Sequence, residues 1–262
     1  KNGIINYKLF MFSVVFPGQG SQSVGMTKNL YNNFDRIRLE SDSQLPHVRS
    51  DIKHYLQQGE DGNIVRLQGD FFMKISESWY GRISAGIFEE MFAGVLGEVL
   101  YRPFNSRVSL GLEFGQVRRR TYDQRFGLLP YSVDTGHASI YYEEPFYNTL
   151  LSMHLGTYLA GDNGGTVEIS RRFDSGIRIG AWATLTTVPF ELFGEGSFDK
   201  GFFLVIPLDL FLTRSTTSTG VFAFRPLFRD GGQRLVLANR LYDVTAPGTL
   251  DAVTRNWPRL FK

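Results

Sequence analysis

Carboxylates are the first residues in this sequence whose types are suited to catalysis. Glu89, Glu90 and Asp199 are of the kind that forms the acid/base pair of a glycosidase. Neighbouring residues of a strand point to opposite faces, so Glu89 and Glu90 cannot act together on one substrate. We therefore interpret these carboxylates as solvated charges that line the lumen or rim of a β-barrel. No catalytic residue is predicted.

Arginine clusters are the second candidate chemistry. Residues 118–120 and 171–172 are consecutive arginines. Guanidinium groups bind carboxylates and phosphates with paired hydrogen bonds, so these clusters are suited to anionic sugars or lipid phosphates. The alternative is that they are ordinary charges of strand ends and loops.

Polar residues that alternate with apolar neighbours form the largest candidate site. Such positions would line a wet lumen, where they can hydrogen-bond a polysaccharide, although the same residues would also line an inert barrel. The predicted lumen-lining residues are Arg66, Gln68, Asp70, Arg82, Glu98, Arg102, Glu113 and Arg178.

The elements that position these residues are predicted to be long antiparallel strands. After Gly62 the sequence alternates between two faces as far as Ile75. A soluble strand averages roughly five or six residues, so this length favours a membrane strand. Similar segments bounded by turn signals raise the predicted total to about ten strands. They are residues 79–89, 94–102, 107–118, 136–142, 149–159, 166–173, 177–187, 201–208 and 220–227.

The residues before Gly62 have a different pattern. Residues 4–16 are predicted to form a strand, followed by a Gly-rich loop and then a helix, the usual opening of an α/β domain. Residues 50–58 are predicted to form a short helix, capped by Ser50 and ended by Gly59. We therefore divide the chain into an N-terminal unit (1–35), a linker with a short helix (36–62) and a barrel segment (63–262).

Composition supports a β protein and excludes several classes. The chain has 262 residues, with 15% aromatic residues and 28 glycines, and glycine is disfavoured in helices. The net charge of +2 and the absence of cysteine argue against a nucleic-acid surface and a thiol or Cys-metal site. No cofactor or metal is expected. The sequence shows no run long enough for a transmembrane helix and no convincing signal peptide.

The predicted fold class is therefore all-β, an antiparallel transmembrane β-barrel that we expect to be partial, with a short helix before it. Aromatic residues near strand ends resemble an interfacial girdle. They are Trp79, Tyr80, Tyr101, Tyr141, Tyr142 and Tyr158. The alternative is a soluble β-sandwich or a lipocalin-like barrel.

Collinear motifs from residue 44 onward resemble the YjbH family of outer-membrane barrels linked to exopolysaccharide production. Among them are Leu45-Pro-His-Val-Arg-Ser-Asp51, Phe193-Gly-Glu-Gly-Ser-Phe-Asp-Lys-Gly201 and Arg229-Asp-Gly-Gly-Gln-Arg-Leu235. The resemblance covers about residues 44–235. It implies part of a longer protein that assists exopolysaccharide export or assembly without catalysis. The partners implied are outer-membrane lipid, lipopolysaccharide, exopolysaccharide and other export proteins, and nucleic acid is not among them.

Residues 11–35 resemble a second family, the amino terminus of malonyl-CoA:acyl-carrier-protein transacylases. In that family the residue at Gln19 supplies a backbone N–H to the oxyanion hole, which is useful only opposite a nucleophile. The nearest match to the nucleophile elbow is Gly136-His-Ala-Ser139, with Ala138 where serine is required. A transacylase fragment without its catalytic elbow, or a soluble carbohydrate-binding β-sandwich, remains the alternative to the outer-membrane interpretation.

Overall fold

A computed structural model describes most of the chain. The described residues are 6–11, 20–32, 41, 43–59, 63–193, 198–211, 213, 219–225, 229–250 and 253–254, and the first two of these ranges are described by their strand pairing. Among the described residues, no helix is both long and apolar enough to cross a membrane.

Twelve antiparallel strands follow each other in sequence order across one sheet. Each strand pairs with the next along the chain, which is the pattern of a meander, and the described pairings do not join the last strand to the first. The strands are β1 (Asn6–Met11), β2 (Gly20–Asn32), β3 (Asn63–Lys74), β4 (Trp79–Ile87), β5 (Phe92–Tyr101), β6 (Val108–Arg120), β7 (Leu128–Glu144), β8 (Thr149–Thr157), β9 (Asn163–Arg172), β10 (Arg178–Thr186), β11 (Asp199–Pro207) and β12 (Thr219–Phe224). A single continuous sheet differs from the two packed sheets of a sandwich.

Short helices complete the described fold. They are α1 (Ile52–Gln58), α2 (Phe190–Phe193) and α3 (Leu241–Thr245), with 3-10 turns at Leu208–Leu210 and Ala246–Gly248. The strands that follow α1 number ten, which agrees with the predicted total.

The predicted helix after the Gly-rich loop is wrong, because Gly20–Asn32 forms β2. This strand pairs with β1 on one side and with β3 on the other, with a register shift between Gly25 and Met26. Hydrogen bonds to two neighbouring strands outweigh the local preference that favoured a helix. The segment thus extends the same sheet as the later strands.

β7 is longer than the sequence predicted. It begins at Leu128, eight residues before the predicted start at Gly136, and it contains Pro130. The β6–β7 register shifts between Arg118 and Arg120, which pair with Ser132 and Leu128, so Pro130 lies at a bulge. Proline lacks a backbone N–H, and a bulge is one of the few places where a sheet tolerates it.

The sheet is polar on its buried face and apolar on its exposed face. Along β6 and β9, for example, Leu112 and Ile169 are exposed, whereas Ser109 and Ser170 are buried. Other exposed apolar strand residues are Leu67, Phe71, Ile83, Val95, Val99, Leu110, Phe114, Ile140, Met153, Leu155, Val167, Ile179 and Leu185. This distribution is the reverse of that in most soluble proteins, where apolar side chains fill the interior.

Only some of the residues predicted to form an aromatic girdle are exposed, and the girdle itself stays a prediction. Trp79 and Tyr142 are exposed, and the rings of Trp79 and Tyr101 lie 5.0 Å apart. Tyr141 and Tyr158 are instead buried. Tyr141 and Tyr142 are adjacent in β7, so their side chains must point to opposite faces.

Two apolar clusters of described residues form where other parts of the chain close on the polar face. One cluster joins α1 to the β4–β5 turn, and a second one joins β5 and β7 to α3. The first cluster includes Val48, Tyr55, Phe88, Phe92, Val117 and Leu235, and the second comprises Leu100, Tyr141, Leu241 and Tyr242. The core is therefore built against α1 and residues near the end of the chain.

The helix α1 begins two residues after its predicted start at residue 50 and is capped differently. Its N-cap residue is Asp51, and no side chain caps it. Ser50 instead donates its hydroxyl to the Asp230 carboxylate at 2.6 Å. The predicted end is confirmed, because the Gly59 backbone N–H donates to the carbonyl oxygen of Tyr55 at 3.0 Å.

Candidate functional site: the polar face and the interior segment

A stretch near the end of the chain, residues 229–250, crosses the polar face of the sheet; we call it the interior segment. It is anchored first at Asp230, which is fully buried. Asp230 Oδ1 accepts hydrogen bonds from the backbone N–H groups of Arg49 (2.7 Å) and Ser50 (2.9 Å). This contact joins the interior segment to the residues that precede α1.

Glu89 forms the next anchor. Its Oε2 accepts the backbone N–H of Val236 at 2.9 Å, and its carboxylate pairs with Arg49 at 2.5 Å. Arg66 donates to the carbonyl oxygen of Val236 at 3.3 Å. Glu89 is buried, so its interpretation as a solvated charge is wrong: its charge is satisfied by Arg49 and a backbone N–H.

Three residues of β3 and β4 hold the middle of the interior segment. Gln68 Oε1 accepts the backbone N–H of Ala238 at 3.3 Å. Asp70 Oδ2 accepts a hydrogen bond from Asn239 Nδ2 at 2.9 Å. Arg82, which is 1% exposed, donates to the carbonyl oxygen of Asn239.

Two carboxylates of β5 and β6 continue this pattern. Both oxygens of Glu98 accept the backbone N–H of Leu241 at 3.1 Å, and Glu98 also pairs with Arg82 at 2.7 Å. Glu113 Oε2 pairs with Arg240 at 2.7 Å. Each buried charge on this part of the sheet therefore has an opposite charge or a backbone donor beside it, as buried charges require.

The ring of Tyr242 packs against Arg102 and Tyr141 near the end of β5. Arg102 donates to its carbonyl oxygen at 2.7 Å and lies over its ring at 4.2 Å from the centroid. Tyr141 stacks on the ring at 4.0 Å, and the Tyr242 hydroxyl donates to Glu143 at 2.7 Å. This contact fixes the start of α3 against the sheet.

Most of the residues predicted to line a lumen therefore meet at the interior segment. Seven of the eight bind the interior segment, namely Arg66, Gln68, Asp70, Arg82, Glu98, Arg102 and Glu113. Arg178 instead places its guanidinium 5.4 Å from the centre of the Phe203 ring. Gln19 lies outside the described residues. That these side chains line a conduit stays a prediction.

Sequence reasoning missed the interior segment because its residues have no alternating pattern. Asp199 was also misinterpreted: it is buried, pairs with Arg225 at 3.2 Å and accepts a hydrogen bond from Trp182 Nε1 at 2.9 Å. An unusual number of charges on one predicted strand face was the available signal that something polar must cover that face.

The predicted arginine cluster at residues 118–120 divides into separate roles. Arg120 is fully buried and donates to the carbonyl oxygens of Glu89 (3.1 Å), Glu90 (3.0 Å) and Arg125 (2.8 Å). Arg119 pairs with Asp51, and Arg118 is exposed. Arg120 thus stabilises the β4–β5 turn.

A titratable cluster lies beside α1, outside the strands. His47 Nδ1 lies 2.6 Å from Asp51 Oδ1, and Asp51 also binds Arg119 and Tyr122. Burial lowers the pKa of His47, but its hydrogen bonds and the negative charges of Asp51 and Asp230 outweigh burial, so the pKa lies above 6.5. Burial likewise raises the pKa of Asp51, and its partners lower it below its usual value.

No group of three metal-ligating side chains occurs among the residues that the structure describes. The fold and this site together define a class of protein: a meander sheet with an apolar exterior whose polar face is covered by its own chain.

The chain belongs to the YjbH family. The family described as "Exopolysaccharide biosynthesis protein YbjH" matches residues 9–247. The chain is also 40% identical over 225 residues to the "Uncharacterized lipoprotein YjbH" of Escherichia coli (strain K12), an alignment that covers 83% of this chain and 32% of the relative. The chain therefore spans about a third of the length of this curated relative. No solved structure matches it.

The family match includes residues 11–35, the region that resembles transacylases. The transacylase resemblance is not shown by the comparisons, and the strand pairing of β2 with β3 joins this region to the same sheet as the rest of the chain.

Proposed function

We propose that this chain is part of an outer-membrane β-barrel protein that assists exopolysaccharide export or assembly without catalysing a reaction. The observation that carries the proposal is the reversed sheet, with exposed apolar side chains on one face and buried polar side chains on the other. Lipid favours apolar side chains on the outer surface of a membrane barrel, and the interior of such a barrel is polar.

Strand length supports the same proposal. A membrane strand needs about 9–11 residues, and β3 to β11 contain between 9 and 17 residues each. In a water-soluble protein, exposing so many leucine, isoleucine and phenylalanine side chains on one face would favour aggregation. A lipid environment removes that cost.

The interior segment favours a docking or scaffolding role over an open conduit within this part of the protein. The polar side chains that would hydrate a passing polymer already bind residues 236–242. Their carboxylates are paired with arginines or backbone donors, which leaves them unsuited to acid/base catalysis. The family description supplies the link to exopolysaccharide.

The test places an arginine on the apolar face. We expect the full-length protein in Gram-negative cells to fractionate with the outer membrane and to migrate differently on a gel before and after heating. Ile169→Arg should make folding into lipid vesicles less favourable by about 2–4 kcal/mol, because a charge near the middle of the bilayer is costly. The matched control is Ser76→Arg, in the exposed turn between β3 and β4.

Wild-type protein recovered in the soluble fraction would contradict membrane insertion, and so would an Ile169→Arg variant that folds into vesicles as well as the Ser76→Arg control. The role in polysaccharide assembly is tested separately. Cells that lack the protein should retain polymer that wild-type cells export, and unchanged export would contradict that role.

A further inference from the structure

A cavity of about 300 Å³ opens at one end of the sheet. It lies between the β5–β6 and β7–β8 turns on one side and the last part of the interior segment on the other. Its size is at the lower end of the range for small-molecule sites, roughly 300–1,000 Å³. The cavity is separate from the contacts that hold residues 230–241, so the interior segment does not fill it.

The cavity lining carries more positive than negative charge. Four arginines line it, Arg102, Arg107, Arg172 and Arg178, against the three carboxylates of Glu143, Glu144 and Asp243. Two of these carboxylates have local partners. Glu143 binds Arg102 and Tyr242, and Glu144 accepts the backbone N–H groups of Phe146 and Tyr147 at 2.7 and 2.8 Å. Without the Arg102–Glu143 pair, three arginines and two carboxylates remain, so the lining has a small excess of positive charge that is suited to an anion.

Two of these arginines face each other across neighbouring strands. Arg172 at the end of β9 is the register partner of Arg178 at the start of β10, and both line the cavity. An anion held between the two guanidinium groups would be attracted by both of them.

A buried hydroxyl lies on the same side of the cavity. Ser170 precedes Arg172 by two residues, so it shares the inward face of β9, and it is 2% exposed. Ser170 lines the cavity, and its Oγ has no hydrogen-bond partner among the described residues. Buried hydroxyls are rarely left without a partner, so Ser170 can donate to a ligand held by the two arginines.

The rim of the cavity is suited to a sugar. Asn105 and Asn148 supply amide groups, and the ring of Phe104 is 55% exposed. Sugars present hydroxyls to polar side chains and an apolar face to aromatic rings, a combination that a simple anion does not use.

We propose that this cavity binds an acidic saccharide unit, with its carboxylate held between Arg172 and Arg178 and hydrogen-bonded by Ser170. The inference rests on the proposed function, because it names the chemical class of polymer that the protein would contact. Arginine binds carboxylates through two parallel hydrogen bonds, which gives the site its preference for uronic acids over neutral sugars.

Calorimetry with trigalacturonate on the full-length protein in detergent tests the site. Arg178→Met keeps the apolar stem against Phe203 and removes the charge, and we expect the Kd for trigalacturonate to rise at least tenfold. The matched control is Arg118→Gln, an exposed arginine at the opposite end of β6, which should leave the Kd unchanged.

A second variant distinguishes binding from folding. Ser170→Ala removes a hydroxyl that has no described partner, so we expect an unchanged or slightly higher Tm together with a several-fold weaker Kd. A lower Tm with an unchanged Kd would show a purely structural role for Ser170 and would overturn its assignment to the ligand.

Three results would overturn the proposal: no binding of trigalacturonate, equal binding of maltotriose, or equally effective displacement by inorganic phosphate. The last would identify a general anion site, such as one for lipid phosphates. Wild-type protein that fractionates with the outer membrane but fails to bind would overturn this inference alone. Recovery in the soluble fraction would instead overturn the proposed function.

Discussion

Arg240 of the interior segment donates to Glu113 of β6 at 2.7 Å, although the two residues lie 127 positions apart in the sequence. Glu113 is also 3.9 Å from Arg234. One carboxylate of the sheet therefore attracts two arginines of the interior segment, and the sheet and this segment stabilise each other.

Removing the Glu113 charge should destabilise the fold. In Glu113→Gln, Arg240 and Arg234 would remain largely buried without their carboxylate, and breaking a buried pair in this way costs about 3 kcal/mol. Unfolding in denaturant, followed by tryptophan fluorescence, measures this loss. Glu77→Gln, in the exposed turn before β4, is the control and should leave the unfolding midpoint in place. An equal unfolding midpoint for both variants would show that the Glu113–Arg240 pair does not stabilise the fold.

Releasing the first anchor should expose the interior segment to protease. Asp230→Asn removes the charge that accepts hydrogen bonds from Arg49 and Ser50, so the segment should open locally more often. We expect trypsin to cleave after Arg234 and Arg240 at least several times faster, as followed by mass spectrometry.

The control for this experiment is Asp243→Asn, which changes an exposed carboxylate of the same segment. If both variants are cleaved at the wild-type rate, the Asp230 contact does not hold the segment in place.

The cluster at His47 should make stability depend on pH. The pKa of His47 is raised above 6.5 in the folded protein, so protonation of His47 contributes stability below that pH. The contribution is lost as the pH rises through the folded-state pKa. Between about pH 6 and pH 8.5, we expect the Tm of the wild-type protein to fall further than the Tm of His47→Gln. Parallel curves for the two proteins would show that His47 does not contribute in this way.

Gly86 should tolerate no side chain. Its φ of +121° is strained for other residues, and an added Cβ would lie 2.1 Å from the carbonyl oxygen of Leu67. Gly86→Ala should therefore destabilise the β3–β4 pair by about 2 kcal/mol or more. In the control, Gly97→Ala, the nearest atom to the added Cβ is 4.0 Å away. Thermal unfolding of the two variants should differ, and similar Tm values would contradict the expected strain.

The sheet could be predicted largely from the sequence. Alternation with a period of two is a local property, and it located most strands between β3 and β12. It failed at β7, where Pro130 interrupts the pattern, and at β2, where pairing with two neighbours outweighs the local preference for a helix. Family membership could also be inferred from the collinear motifs, since residue identity alone carries that information.

The sequence by itself determined which side chains share a face of each strand, and therefore that the charges of β3 to β6 lie together. Only the tertiary structure decided what those charges bind. Gln68 and Asp70 contact Ala238 and Asn239 across about 170 positions, and no local pattern encodes a partner so distant. A strand's two faces follow from its backbone geometry, whereas the segment that covers one of them is selected by the pairing of buried charges and backbone donors in the folded chain.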